Sequence, residues 1–357
     1  MKHILSILTA VVFSVAANAQ ITITATDMPV AGDLLSFSNA LTAGVVISPG
    51  DSGVNVIWNY SLSSSSVGVD TYKTAAQVSP LYAITVSSSA FGYKIADSIP
   101  GLSMIPGGGG LSVTNLYTFF EEKTSPDRYV AAATGYTVNN TIPLASNYSS
   151  VDVWYSFPLA YGNPTDSNNY AVTMGLAGTA TIKQHGYRKT RVDGWGTLTT
   201  PYFTTPVNCI RVRSEIHEID SIKLNTFNFG IPRNSVEYKW LVNGEHYPAL
   251  WVTSNLNGTN ETITTIRYRD ALPSKVQSVN TSVAQITAFP NPATGSTVTL
   301  GLPADWKAFQ VEVFDVQGKQ VASLNNTNEI NVSSFAAGHY IVRITSGTNT
   351  GYTMITK

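Results

Sequence analysis

Apolar side chains recur at every second position along most of this chain, and a polypeptide that keeps that period can bury only one face of extended strands. Ile21, Ile23 and Ala25 alternate with threonines, and Val54, Val56, Trp58 and Tyr60 share a face. The same spacing links Tyr82, Ile84 and Val86, then Phe91, Tyr93 and Ile95. It persists through Val151, Val153, Tyr155 and Phe157, and through Tyr170, Val172 and Met174. One-face patterns belong to antiparallel sheets with one wet side, so the alternation predicts an all-β protein with a large antiparallel sandwich or barrel-like body. Turn signals punctuate it at Pro49-Gly50-Asp51, Pro106 to Gly110, Gly162-Asn163-Pro164, Asp193-Gly194 and Asn243-Gly244. The last predicts a type I′ hairpin joining Val236 to Val242 with Glu245 to Val252.

Charged residues make up 12% of the 357 and the formal net charge is -1. That is about half the usual charged share, so Ser, Thr, Asn and Tyr must cover the surface. No Lys/Arg run exists, which argues against a nucleic-acid partner. Cys209 is the single cysteine, ruling out an intramolecular disulfide, and its flanks Val207-Asn208 and Ile210 read as a strand that buries the thiol.

Residues 1–19 read as a signal peptide: Lys2 and His3 precede an apolar run from Ile4 to Ala17, and Ala17-Asn18-Ala19 supplies small residues for cleavage between Ala19 and Gln20. Gln20 is not a lipid-attachment cysteine, and no later stretch reaches the roughly 20 apolar residues of a spanning helix, so no transmembrane segment is expected in the mature chain. Residues 20–272 form the β-rich body, the polar and aperiodic 273–285 a linker, and 286–357 a tail in which the strand pattern restarts. No long-period repeat is present.

No chemistry declares itself in the body. His185, His217, His246 and His339 show no metal-ligand spacing. His217-Glu218 lacks the second histidine of a zinc protease, and Arg211, Arg213, Glu215 and His217 alternate as a solvated strand face. Glu121, Glu122, Asp127, Asp152, Glu215 and Glu218 are the carboxylates from which a glycan hydrolase would draw a pair about 5 to 10 Å apart. None is marked out by its neighbours, and Glu121 to Asp127 reads as a hairpin turn. There is no Gly-x-Ser-x-Gly elbow, and the Gly107 to Gly110 run lacks the Lys-Ser/Thr of a phosphate loop, so no cofactor is expected. Trp154, Tyr161, Trp195, Trp240 and Trp251 could stack on sugar rings, and Trp195, between Gly194 and Gly196, is the one placed like an exposed ligand contact.

The tail carries Pro290-Asn291-Pro292-Ala293, then Val311-Glu312-Val313-Phe314-Asp315 with Gly318-Lys319, then Gly338-His339-Tyr340-Ile341-Val342, and ends on Lys357. Together these resemble the C-terminal sorting domain of the type IX secretion system. The resemblance implies a small immunoglobulin-like β-sandwich, recognition by the type IX translocon, and removal by a sortase-like peptidase that releases the body or joins it to surface lipopolysaccharide. It places the body in the extracellular space or on the outer cell surface. Asp97-Ser98-Ile99 and Asp220-Ser221-Ile222 resemble the O-glycosylation signal of the same bacterial group, and residues 194–201 with 209–212 resemble runs in secreted β-proteins of no assigned activity. The expectation for the body is therefore a non-enzymatic binding or structural module, with a neutral glycan among its expected partners and a secreted polymer hydrolase as the alternative.

Overall fold

The computed structural model describes residues 20–99, 111–176, 180–224, 227–272, 284–347 and 349–357. The expected signal peptide, the Pro106 to Gly110 turn and most of the expected linker lie outside these residues. In chain order the body comprises β1 (Leu34–Ala40), β2 (Gly53–Asn59), β3 (Ser64–Thr71), β4 (Lys73–Thr74), α1 (Ala75–Val78), α2 (Tyr82–Thr85), β5 (Phe91–Ser98), β6 (Val113–Thr124), β7 (Asp127–Val138) and β8 (Pro143–Ser156). It continues with β9 (Asp166–Leu176), β10 (Ala180–Thr199), β11 (Val207–Leu224), β12 (Phe227–Leu241), β13 (Leu250–Asn257) and β14 (Asn260–Arg269). The tail holds β15 (Ala284–Gln285), β16 (Thr287–Phe289), β17 (Thr297–Gly301), β18 (Gln310–Asp315), β19 (Gln320–Asn325), β20 (Glu329–Asn331), β21 (His339–Ser346) and β22 (Asn349–Thr356).

Thirteen of the body strands lie side by side in the order β3-β1-β14-β13-β12-β11-β10-β9-β8-β7-β6-β5-β4, every pairing antiparallel. The two edge strands, β3 and β4, are consecutive in the chain with only Tyr72 between them. A sheet whose edges are joined by one residue must curl until they meet, so the body is a nearly closed barrel. It is flattened, because Trp154 on β8 touches Trp251 on β13 across the interior, with ring centroids 5.9 Å apart.

Cross-strand partners share a face, so the registers define the inner surface. Tyr129, Ala131 and Tyr155 pack there with Phe37, Tyr72, Phe120, Val212 and Tyr247 in one apolar cluster. Leu144, Met174, Leu176, Ile182, Ile222 and Leu224 form a second cluster further along the inner faces of β8–β11. On the outer surface Trp58, Cys209, Val236, Tyr238, Trp240 and Val252 pack under residues 45–62, while Tyr82 and Phe119 pack under the short helices. Cys209 is buried as expected, and burial pushes its thiol well above the ordinary range.

Four local expectations are corrected. Tyr82 to Thr85 is a helical turn: Tyr82 and Val86 are 2% and 4% exposed but Ile84 is 42% exposed, so the shared face has a spacing of four, which a period-two pattern also contains. Asp193-Gly194 lies inside the twenty-residue β10, where the strand bulges as its neighbour changes from β9 to the parallel β2. Asn243-Gly244 sits in an eight-residue loop, 242–249, rather than a two-residue hairpin. Its Asn243 side chain donates to Thr22 O, and Gly244 N–H and Asn243 both bond Asp27, so the loop serves to tie down the N-terminal segment. That segment makes one bridge, Ile23 to Leu159, and then a 3-10 turn at Ala25–Asp27 where strand alternation was expected.

The tail is a separate sandwich of a five-stranded sheet, β15-β22-β21-β18-β19, on a three-stranded sheet, β16-β17-β20. Val298, Leu300, Trp306, Val311, Val313, Val342, Ile344 and Ile355 fill it.

Candidate functional site

Between the two inner clusters the barrel wall turns polar. Arg188 on β10 forms the centre: its Nε and Nη2 donate to the two carboxylate oxygens of Asp152, each at 2.8 Å, and its Nη1 donates to Glu237 Oε2 at 3.1 Å. Lys239, two residues along β12 from Glu237 and therefore on the same face, donates to the same Oε2 at 3.0 Å. The Lys239 ammonium lies 3.8 Å from the Trp154 ring centroid and 4.2 Å from that of Trp251, so two aromatic faces replace part of its lost hydration. Trp154 Nε1 donates to Asp152 Oδ2.

All four charged groups are buried, and two carboxylates against two cations cancel. Burial pushes Lys239 below the ordinary lysine range despite Glu237. For Glu237 burial works upward, but Lys239 and Arg188 outweigh it and hold the carboxyl low. Arg188 is likewise desolvated, yet Asp152 and Glu237 keep it charged. Such a network has no free charge to offer a ligand; it ties β8, β10 and β12 together across the inner face.

Alongside it runs a groove of about 720 Å³ lined by Thr118, Tyr148, Asp152, Gln184, Glu218 and Asn255, among others. A smaller pocket of about 280 Å³, sharing Ile95, Thr118 and Trp154 with it, continues toward Thr253, Thr265 and Arg267. Tyr170 and Glu218 both neighbour Gly186 across the sheet, on opposite sides, and Tyr170 OH donates to Glu218 at 2.7 Å over the position where Gly186 has no side chain. Burial raises the carboxyls of Glu218 and Asp220, with Arg233, 2.8 Å from Asp220, acting the other way. Among the described residues no cluster of His, Cys, Asp and Glu could hold a metal ion.

The sequence candidates are distributed unevenly over this site. Asp152, Glu218, Trp154 and Trp251 come together in it, whereas Glu122 and Asp127 stand at the β6–β7 hairpin, as the turn signal indicated, and Glu215 faces outward with Arg213 and His217. Arg211, expected on a solvated strand face, is 0% exposed: Asp193 grips it with two bonds, and Ser48 and Pro49 carbonyls and the rings of Trp58, Tyr238 and Trp240 surround it. Trp195 is not in a turn but within β10, opposite Ile210, half-buried against the first inner cluster. Gln20 is exposed and its amide donates to Tyr161 O, while Ser98 is exposed at the end of β5 and Ser221 lies half-buried within β11. Arg188, Glu237 and Lys239 were not singled out, because nothing in a lone charged residue on an alternating strand distinguishes an inner from an outer face.

The first and last of the tail motifs, far apart in sequence, converge on the last strand, while the central one lies on β18 beyond β21. Asn291 donates to Met354 O and accepts from Thr356 N–H, Ala293 N–H donates to Thr356 O, and Gly338 and Lys357 exchange two backbone bonds of 2.9 and 2.8 Å. Lys357 Nζ reaches Gly295 O. Pro290 and Pro292 flank Asn291 in this clamp, and Tyr340 packs on Phe335 and donates to Ala336 O. Gly318 takes a φ of 82° in the β18–β19 turn, where Asp315 and Lys319 pair through their backbones.

Residues 287–356 match the family model described as a secretion system C-terminal sorting domain. No curated protein and no solved structure matches the chain. The tail is thus a type IX sorting domain, and the chain that bears it is a substrate for that export route.

Proposed function

We propose that this chain is delivered through the periplasm to the cell surface or medium, and that its body is a non-enzymatic module binding an extended, uncharged, hydroxyl-rich polymer such as a neutral glycan. The observation that carries the reading is the groove beside the Asp152–Arg188–Glu237–Lys239 network. The network's charges are spent on one another, Glu218 is held by Tyr170, and Arg233 and Arg267 face Asp220 and Asp70; beside them stand amide, hydroxyl and indole groups: Gln184, Asn255, Thr118, Thr253 and Trp154. Groups of this kind hydrogen-bond and stack on neutral ligands without demanding a counter-charge. The motif residues Pro290, Asn291, Pro292, Gly318, Lys319, Gly338, Tyr340 and Lys357 would be read by the translocon and a sortase-like peptidase, after signal cleavage between Ala19 and Gln20.

The test of the groove is titration of the mature chain with a panel of neutral oligosaccharides, followed by tryptophan fluorescence. A saturable change is expected, abolished in Thr118→Arg and retained in Trp195→Ala; no response to any member of the panel would sink the reading. One observation favours hydrolysis as a second reading: Glu218, its carboxyl raised by burial, lines the same groove as Asp152. Against it, both Asp152 oxygens are committed to Arg188. Consumption of an oligosaccharide that stops in Glu218→Gln would replace the binding reading with this one. For export, deletion of residues 286–357 is expected to leave the chain in the periplasm, by fractionation and immunoblot; surface delivery of the truncated chain would refute the role given to the tail.

A further inference from the structure

We propose that the sorting tail is also a removable cover for one end of the body's interior, shielding apolar surface on both partners while they travel together. The tail's own patterning does not fit a free-standing sandwich. A small sandwich should turn its polar residues outward, and in β18, β21 and β22 the inward set is indeed Val311, Val313, Tyr340, Val342, Ile344 and Ile355. The outward set should then be polar. Instead the register aligns Phe314 with Ile341 and Ile341 with Met354, so three large apolar side chains stand in a row on the outer face of the five-stranded sheet. The next row is Glu312, Arg343 and Tyr352.

This face meets the body. Phe314 and Ile341 are 1% and 9% exposed because they complete the second inner cluster, with Leu144, Met174, Leu176, Ile182 and Leu224. The polar row fixes the orientation: Glu312 Oε2 holds Arg343 through Nε at 2.9 Å and Nη2 at 2.6 Å, leaving Nη1 to donate to the carbonyls of Asn140 and Thr141 at 3.0 and 2.5 Å. Those carbonyls lie in the β7–β8 turn, at the end of the barrel that holds this cluster. The seat is incomplete, since a cleft of about 830 Å³ remains between Leu81, Ile84 and Leu144 of the body and Val316, His339 and Met354 of the tail. A contact that is apolar at its centre, anchored by one arginine and bordered by a cleft is suited to parting as a unit. Undocking leaves the body with an apolar opening at that end and the tail with an apolar row. While they are joined, Phe314 and Ile341 are buried and only the cleft stays open.

The contact is independent of the groove and its proposed ligand. It is tested by hydrogen exchange on the mature full-length chain, comparing Arg343→Ala and Ile341→Glu with Thr299→Lys, a change on the exposed face of the other tail sheet. Both interface variants are expected to accelerate exchange about tenfold or more in residues 136–144 and 174–182, with protection kept around Val298 and Val311 and around Tyr129 and Val212. Binding of an apolar dye should rise in parallel, and Thr299→Lys should do neither. Unchanged exchange in residues 136–144 and 174–182 in both variants would overturn the proposal. So would loss of protection throughout the body in Arg343→Ala, because the tail would then be part of the body's fold and not a cover.

Discussion

Asp70 shows how a residue can be visible in a sequence and its state invisible. It is buried on β3 with Arg267 3.9 Å away, and burial raises its carboxyl to about 6. The folded chain therefore holds this proton more tightly than the unfolded chain, whose aspartates titrate near 3.8. The stability linked to the group is complete below that pH and is lost as pH rises through about 6. Asp70→Asn is expected to stabilise the body by about 1 to 3 kcal/mol at pH 7, and to give no gain at pH 3.5. Thermal melts at the two pH values check it; equal shifts at both would show that titration is not the cause. The same limit governed Arg211 and Trp195. Alternation gave Arg211 the outer face of β11 correctly, but residues 45–62 cover that face, and no local signal announces a distant segment.

At the scale of single elements, flanking glycines have two readings, and the one made from sequence was the wrong one for Gly194-Trp195-Gly196. Glycine marks either a turn or a place where another backbone comes close. Gly196 is the second kind: a Cβ there would overlap the carbonyl oxygen of Val56 on β2, which lies parallel to β10 along Gly194 to Thr199. Gly196→Ala is expected to cost about 2 to 4 kcal/mol and to free β2. Limited proteolysis should then cut within residues 42–63 while the rest of the body resists; an intact segment would mean the strands can shift to admit a methyl group. Most strands were legible because their alternation reports one buried face. The short helix at Tyr82 was not, since two apolar residues four apart satisfy both periods and only the exposure of Ile84 separates them.

For the whole molecule, the division between body and tail governs both delivery and stability. The tail has its own core, and two of the body's three large clusters contain no tail residue. Val311→Ala, at a fully buried tail position, is expected to cost about 2 kcal/mol and to lower the tail's calorimetric transition while the body's stays in place. A single transition that moves as one would show that the two cores unfold together. The joint between them is the second inner cluster, where Phe314 and Ile341 enter from the tail.

Class, export address and the run of strands followed from sequence alone, because alternation, turn residues and the tail's short motifs are local properties that survive without knowledge of partners. The tertiary structure decided what depends on which strands meet. It brought β3 and β4 together across Tyr72 to close the barrel, and it set Arg188 from β10 against Asp152 from β8 and Glu237 from β12. It also set Phe314 and Ile341 of the tail against the body's second inner cluster. Pairings across tens of residues carry no local signature, since any alternating strand can take any neighbour until the sheet assigns one.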